Sequence, residues 1–277
     1  ICMTDATERD MLYDMVRRFA REHIAPHVTA WDEAGEFPRQ LYRQAAELGL
    51  LGIGYPHELG GTAATHGLRA ALWLALCRYG GSGGVLASLL SHNIGLPPVV
   101  ALGSDALKQQ VVPDVLAGHK IAALAITEPG GGSDVAALRT RARRDGNEYV
   151  IEGEKTFITS GMRADWITVA VRTGEQRGAS GISLILVPGE SAGLRRSPLH
   201  KMGWQCSDTA HLFFDGVRVP ASHLLGAEGE GFRAIMQNFN GERLAMSAMA
   251  LGFAQACYDE AVDWAREFLR QVELPEL

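Results

Sequence analysis

Residues 125–134 read AITEPGGGSD, three consecutive glycines between a strand-like run and the Ser133–Asp134 pair. Glycine loses the most conformational entropy on folding and packs nothing. Such a run therefore implies positive φ angles or something lying against bare backbone. One chemistry it allows is a cradle of converging N–H groups for an anion or a ring; a loose surface turn at a strand end is the plain alternative. The segment lacks the Lys-Ser/Thr of a P-loop and the G-x-G-x-x-G spacing, so neither familiar phosphate fingerprint assigns it. Two further stretches carry candidate chemistry. GEKTFITSG (153–161) sets Phe157 and Thr159 on a strand, where alternation alone would turn Phe157 to the core. NFNGERLAM (238–246) sets Glu242 beside Arg243, where a helix glutamate ordinarily faces solvent near a cation.

The elements that must position these residues follow an α, β, α order. From about residue 7 to 118 the apolar spacing is helical. TERDMLYDMVRRFAREHI starts at Thr7 and closes at Pro26, Pro38 precedes a helix stopped by Gly49, further segments cover 64–80 and 83–94, and Ser104 to Leu116 ends at Gly118. The pattern then turns to period two: IAALAIT (121–127), the Asp145-Gly146 turn, KTFIT (155–159), WITVAVRT (166–173), GISLILVPG (181–189) and HLFFDGVRVP (211–220). These predict a small antiparallel barrel or sandwich. From about 230 to 271 the chain is helical again, as two helices or one bent at Gly241 or Gly252. The fold class is α+β and multidomain: an all-α domain (1–119), an antiparallel β domain (120–224) and a partial C-terminal helical bundle (225–277). The last segment is apolar on more than one face, from Phe232, Ile235, Met236 and Phe239 to Phe253, so a sister subunit or more chain is expected against it.

Composition narrows the function classes. A chain of 277 residues, 47% hydrophobic, builds a sizeable core. Its net charge of −6, without a Lys/Arg block, argues against nucleic acid or an anionic membrane as partner. Cys2, Cys77, Cys206 and Cys257 lie far apart with no C-x-x-C pair, and the nine histidines show no metal-ligand spacing, so neither a disulfide framework nor a metal is expected. No apolar run approaches about 18 residues and the first residues show no basic-then-apolar signal, which predicts no membrane span. The expected location is cytoplasmic, or the mitochondrial matrix for a processed eukaryotic protein.

Taken in order, AITEPGGGSD, GEKTFITSG and KMGWQCSDTAHLFFDGVRVP (201–220) resemble the TEP-x-x-GSD, G-x-K-x-[FW]-I-[TS]-x-G and MG-x-x-x-SDT…VP segments of the acyl-CoA dehydrogenase family. The resemblance covers essentially the whole chain but not the C-terminal half of the family's helical bundle. It implies FAD, held by Leu124, Ala125, Ile126, Thr127, Gly132, Ser133, Phe157, Ile158 and Thr159. Phe157 would stack on the flavin ring and Thr159 would bond its N5 edge. It implies an acyl-CoA substrate near Ser133, Ser180, Asn240, Gly241 and Arg243. The expected reaction removes the α-proton to a base and the β-hydrogen as hydride to flavin, giving a trans-2-enoyl thioester. Family members carry that base either in the segment missing here or on the helix with -ERL-, the long-chain and isovaleryl pattern, which points to Glu242. The implied acceptor is an electron-transferring flavoprotein and the implied assembly a homo-oligomer, dimer or tetramer. An acyl-CoA oxidase, a flavin monooxygenase on the same fold, or a non-catalytic CoA-binding scaffold are the alternatives, and acyl chain length is not legible.

Overall fold

The structure is a computed structural model that describes residues 3–176 and 178–271. Eight α-helices come first among the described residues: Met3–His23 (α1), Val28–Ala34 (α2), Gln40–Glu47 (α3), His66–Gly80 (α4), Gly83–Leu89 (α5), His92–Gly95 (α6), Pro97–Leu102 (α7) and Asp105–Leu116 (α8). Their ends follow local rules. The Thr65, Ser82 and Ser104 side chains cap α4, α5 and α8 by accepting from Leu68, Val85 and Leu107 N–H. Segment 83–94 is thus α5 and α6 with a break between them, and α2 and α7 join the expected helices.

The strands are Ala122–Ala125 (β1), Arg141–Asp145 (β2), Glu148–Thr159 (β3), Trp166–Arg172 (β4), Ile182–Pro188 (β5), Leu194–Pro198 (β6), Thr209–Pro220 (β7) and Leu224–Leu225 (β8), followed by one helix, Gly231–Gln271 (α9). One expectation needs correction here. The sheet is neither closed nor purely antiparallel. Its order is β6-β7-β3-β2-β4-β5-β8, with β1 parallel to β4 and a parallel bridge between β2 and β4. β1 leaves the helical domain and must lie alongside β4 to bury its AALA run on both faces, and all four of its residues are buried. Of the two readings of the closing segment, the structure has one helix rather than two, a 41-residue element across both Gly241 and Gly252. At Gly252 a Cβ would lie 2.6 Å from the Leu74 carbonyl oxygen and 2.7 Å from Cys77 Cβ, so the glycine lets α9 press against α4. That packing outweighs the cost of about 1 kcal/mol for a glycine in a helix.

One core joins α1, α3, α4 and α5 to Ala245, Ala248 and Met249 of α9; a second joins α7, α8, β1 and β5 to Ile235; a third lies within the sheet. Beyond its packed face, α9 leaves Leu244, Met246, Leu251, Tyr258, Trp264, Phe268 and Leu269 exposed. Cys77 and Cys206 are buried and Cys257 exposed, while Cys2 lies outside the described residues. Among the described residues no single helix is long and apolar enough to cross a membrane; one bent pair, Gly83–Leu89 with His92–Leu102, passes by length and composition and consists largely of buried residues.

Candidate functional site

The glycine loop and the GEKTFITSG strand meet. Thr156 N–H donates to the Thr127 carbonyl at 2.9 Å. Beneath that contact sits a carboxylate that pattern reading passed over. Glu128, 8% exposed, accepts from Arg139 N–H at 2.6 Å, Thr140 N–H at 2.8 Å and Lys155 Nζ at 2.8 Å. Lys155 is fully buried and also donates to the Ile126 carbonyl at 2.9 Å. Burial by itself pushes the Glu128 carboxyl up, but the charge and hydrogen bond of Lys155, with the bonds from Thr140, outweigh it and hold the carboxyl below its ordinary value. Burial lowers the Lys155 ammonium, opposed by Glu128. The signal was present in sequence: an acid in one motif and a base in the other.

This knot braces an irregular stretch of β3. Pairing with β7 shifts register between Lys155 and Ile158, and within that bulge Phe157 adopts φ +59°. A positive φ at a bulky residue is a genuine outlier, of order 1–3 kcal/mol. The ring is 69% exposed rather than turned to the core as alternation implied. Thr159 beside it is half-buried, and Ser160, also left-handed at φ +59°, is fully buried. Ser160 Oγ donates to Ser91 Oγ at 3.0 Å, Ser91 Oγ donates to the Ala122 carbonyl at 3.0 Å, and Ser88 and Ser207 share a 2.8 Å bond. These serines, not singled out in the sequence, pin the bulge to the helical domain.

The third motif runs over bare backbone. Lys201 Nζ donates to the Trp204 carbonyl at 2.7 Å and to that of Ser207, closing the 201–207 loop. A Cβ at Gly83 would stand 2.3 Å from the Trp204 indole.

The other residues fall into separate groups. Leu124, Ala125, Ile126 and Ile158 are buried. Gly132 and Ser133 are exposed, as is Ser180, and nothing stands within 4 Å of a Cβ built at Gly130 or Gly131. Glu242, Asn240 and Gly241 line a cavity of about 380 Å³ with His66, Arg69 and Leu102, and Glu242 and Arg243 line another of about 390 Å³ on the adjoining side of α9. Arg243 Nη1 donates to Asn240 Oδ1 at 3.0 Å. Glu242 accepts no hydrogen bond among the described residues. Burial pushes its carboxyl up to about 7, against the opposing charge of Arg69. Tyr55, whose hydroxyl donates to the His92 carbonyl at 3.0 Å, feels both charges and is itself raised by burial. Arg69 and Tyr55 come from the helical domain, and no local pattern announced them.

Fold and site together define a three-part protein, helical domain, mixed sheet and long closing helix, with a braced aromatic at its middle. Family profiles agree with that division: "Acyl-CoA dehydrogenase, N-terminal domain" matches residues 6–119, the middle domain 123–217 and the C-terminal domain 229–271. The chain belongs to the acyl-CoA dehydrogenase family. It is 38% identical over 265 residues to the mitochondrial long-chain specific acyl-CoA dehydrogenase of Sus scrofa, covering 95% of this chain and 61% of that relative. It is 38% identical over 256 residues to cyclohexane-1-carbonyl-CoA dehydrogenase of Geobacter metallireducens, covering 92% and 67%. The solved structure of a probable acyl CoA dehydrogenase from Mycobacterium abscessus superposes with a TM-score of 0.91 at 51% identity, covering 94% of this chain and 69% of that one. The chain thus spans less than two thirds of the pig relative's length.

Proposed function

We propose that the protein dehydrogenates an acyl-CoA thioester to the trans-2-enoyl-CoA, with Glu242 as the base that takes the α-proton. The observation that carries this reading is a carboxylate that has no hydrogen-bond partner among the described residues, lines a cavity and is lifted by burial to about 7. An α-proton beside a thioester is weakly acidic, so its acceptor works best with a pKa near the operating pH. Arg69 opposes the rise and so keeps a share of the carboxylate ionised at neutral pH. Asn240, Gly241 and Arg243 on the same turns of α9 would orient the acyl end, and Ser133 and Ser180 the pantetheine.

The residues present suit FAD, because a large ring held outward in a strained backbone at a braced bulge is a platform without an internal partner. Phe157 would stack on the flavin, Thr127 and Thr159 would bond its edges, and Gly132 and Ser133 would let backbone approach. FAD, when bound, would accept the β-hydrogen and hand the electrons to an electron-transferring flavoprotein. The apolar residues left open on α9 support assembly as a homo-oligomer.

The test of this placement is flavin content after Phe157→Ala and Thr159→Val. We expect loss of bound flavin in the first and a shifted absorption spectrum in the second. Full flavin content with an unshifted spectrum in both variants would overturn it.

A further inference from the structure

Among the described residues, every half-buried arginine except one is engaged. Arg17 pairs with Asp14 at 3.1 Å, Arg78 with Asp259 at 2.7 Å and Arg163 with Asp208 at 2.9 Å, while Arg172 and Arg196 direct their donors to main-chain carbonyls. The exception is Arg69. Among the described residues no carboxylate lies within ion-pair distance of its guanidinium, and no oxygen accepts a hydrogen bond from it.

The backbone around Arg69 seats it. Its N–H donates to the Thr65 carbonyl at 3.1 Å in the first turn of α4, and its stem lies over Gly54, where a Cβ would stand 2.9 Å from Arg69 Cδ. Gly54 adopts φ +89° and its N–H donates to the Thr62 carbonyl at 2.7 Å, so a left-handed glycine makes room for the stem. From there Arg69 lines the cavity of about 380 Å³ that Glu242 also lines. Glu242, Tyr55 and His92 feel its charge through space, and none of them is hydrogen-bonded to it.

A half-buried guanidinium without a partner has a fork of donors to satisfy, and a carboxylate satisfies two of them side by side. Glu242 is not that carboxylate, because burial leaves it only partly ionised near neutral pH and no bond joins the two. The matching anion therefore arrives with a ligand. The wall that α7 supplies is apolar, from Pro97, Pro98, Ala101 and Leu102, and suits methylene groups. The volume corresponds to about a dozen water-sized groups, room for a thioester carbonyl, a few methylenes and a carboxylate. We propose that the acyl group handled at Glu242 is that of a short dicarboxylic acid, carried as its mono-CoA thioester, with the distal carboxylate on the Arg69 guanidinium and the methylenes against α7. This substrate class rests on the acyl-CoA reading above, and it makes Arg69 the residue that selects the acyl chain.

The test uses matched chains, succinyl-, glutaryl- and adipyl-CoA against butyryl-, pentanoyl- and hexanoyl-CoA, each pair alike in carbon number and differing in the distal carboxylate. Calorimetric binding to the flavin-loaded protein needs no turnover. At one length or more the wild-type protein should bind the dicarboxylic ester at least about 10-fold more tightly than its monocarboxylic counterpart, as a charge-assisted pair implies, and kcat/KM should favour it by a similar factor. In Arg69→Met both preferences should vanish, and Arg69→Lys, which keeps the charge without the paired donors, should retain only part of them. Arg69 also acts on Glu242, so rates for both chain types change in these variants; the ratio between the chains removes that shared effect. No preference in the wild type at any length, or one that survives in Arg69→Met, would overturn the substrate class, and oxidation of the monocarboxylic esters would then leave the dehydrogenase reading standing. A binding preference that depends on Arg69, in a flavin-loaded protein that oxidises neither set, would uphold the carboxylate site and overturn the dehydrogenase reading instead.

Discussion

Two glutamates, Glu128 and Glu242, are each withdrawn from water, and their carboxyls shift in opposite directions. Glu128 has a cation and two main-chain donors, so its charge is matched and its pKa falls. Among the described residues Glu242 has no hydrogen-bond partner and one opposing charge, that of Arg69, so burial raises its pKa. Burial is common to both; satisfaction differs. A matched carboxylate is fixed in one protonation state and can brace structure, whereas an unmatched one near neutrality can exchange a proton with a ligand. The molecule uses the first to hold the motif that displays Phe157 and leaves the second open to a cavity.

The comparison is broken most severely at Lys155. Lys155→Met should leave Glu128 charged, buried and short of its cation, and cost about 3–5 kcal/mol at pH 7. Chemical denaturation measures this, and adding Glu128→Gln should recover part of the loss. Survival of Lys155→Met at wild-type stability would deny the pair its bracing role. A smaller effect of opposite sign is expected at Glu242. Its folded pKa lies above the unfolded 4.5, so the fold binds the proton more tightly and stability falls as pH rises from about 4.5 to about 7. Glu242→Gln removes that loss and should stabilise the protein by about 1–3 kcal/mol at pH 8 and by almost nothing at pH 4. Glu128 has the reverse sign: its lowered pKa contributes stability above the unfolded value, which drains away in acid. Parallel pH–stability curves for Glu128→Gln and Glu242→Gln would erase the contrast.

Much of this was written locally. Ser104 capping α8, the Asp145-Gly146 turn and the three motifs in order could be read because each depends on neighbours in sequence. The parallel seat of β1 beside β4 could not, since strand order is fixed by which faces get buried and not by alternation. Phe157 shows the limit within a motif. Alternation turns it inward, and only the register shift between Lys155 and Ile158 turns it out. At Glu242 the residue was legible and its environment was not: Arg69 and Tyr55 reach it from elements more than 150 positions away in sequence. That α9 runs as one helix rather than two was equally hidden, because the reason for Gly252 appears only when α4 is packed against it.

The central claim is that Glu242 takes the α-proton, and its most direct measurement is exchange of that proton for deuterium in a bound acyl-CoA analogue that cannot be oxidised at its β-carbon. The flavin-loaded protein should catalyse this exchange with a rate that climbs through about pH 7, the value to which burial lifts the carboxyl. In Glu242→Gln it should fall by at least about 100-fold while analogue binding stays near normal. Exchange at the wild-type rate in Glu242→Gln would contradict the account and place the base elsewhere.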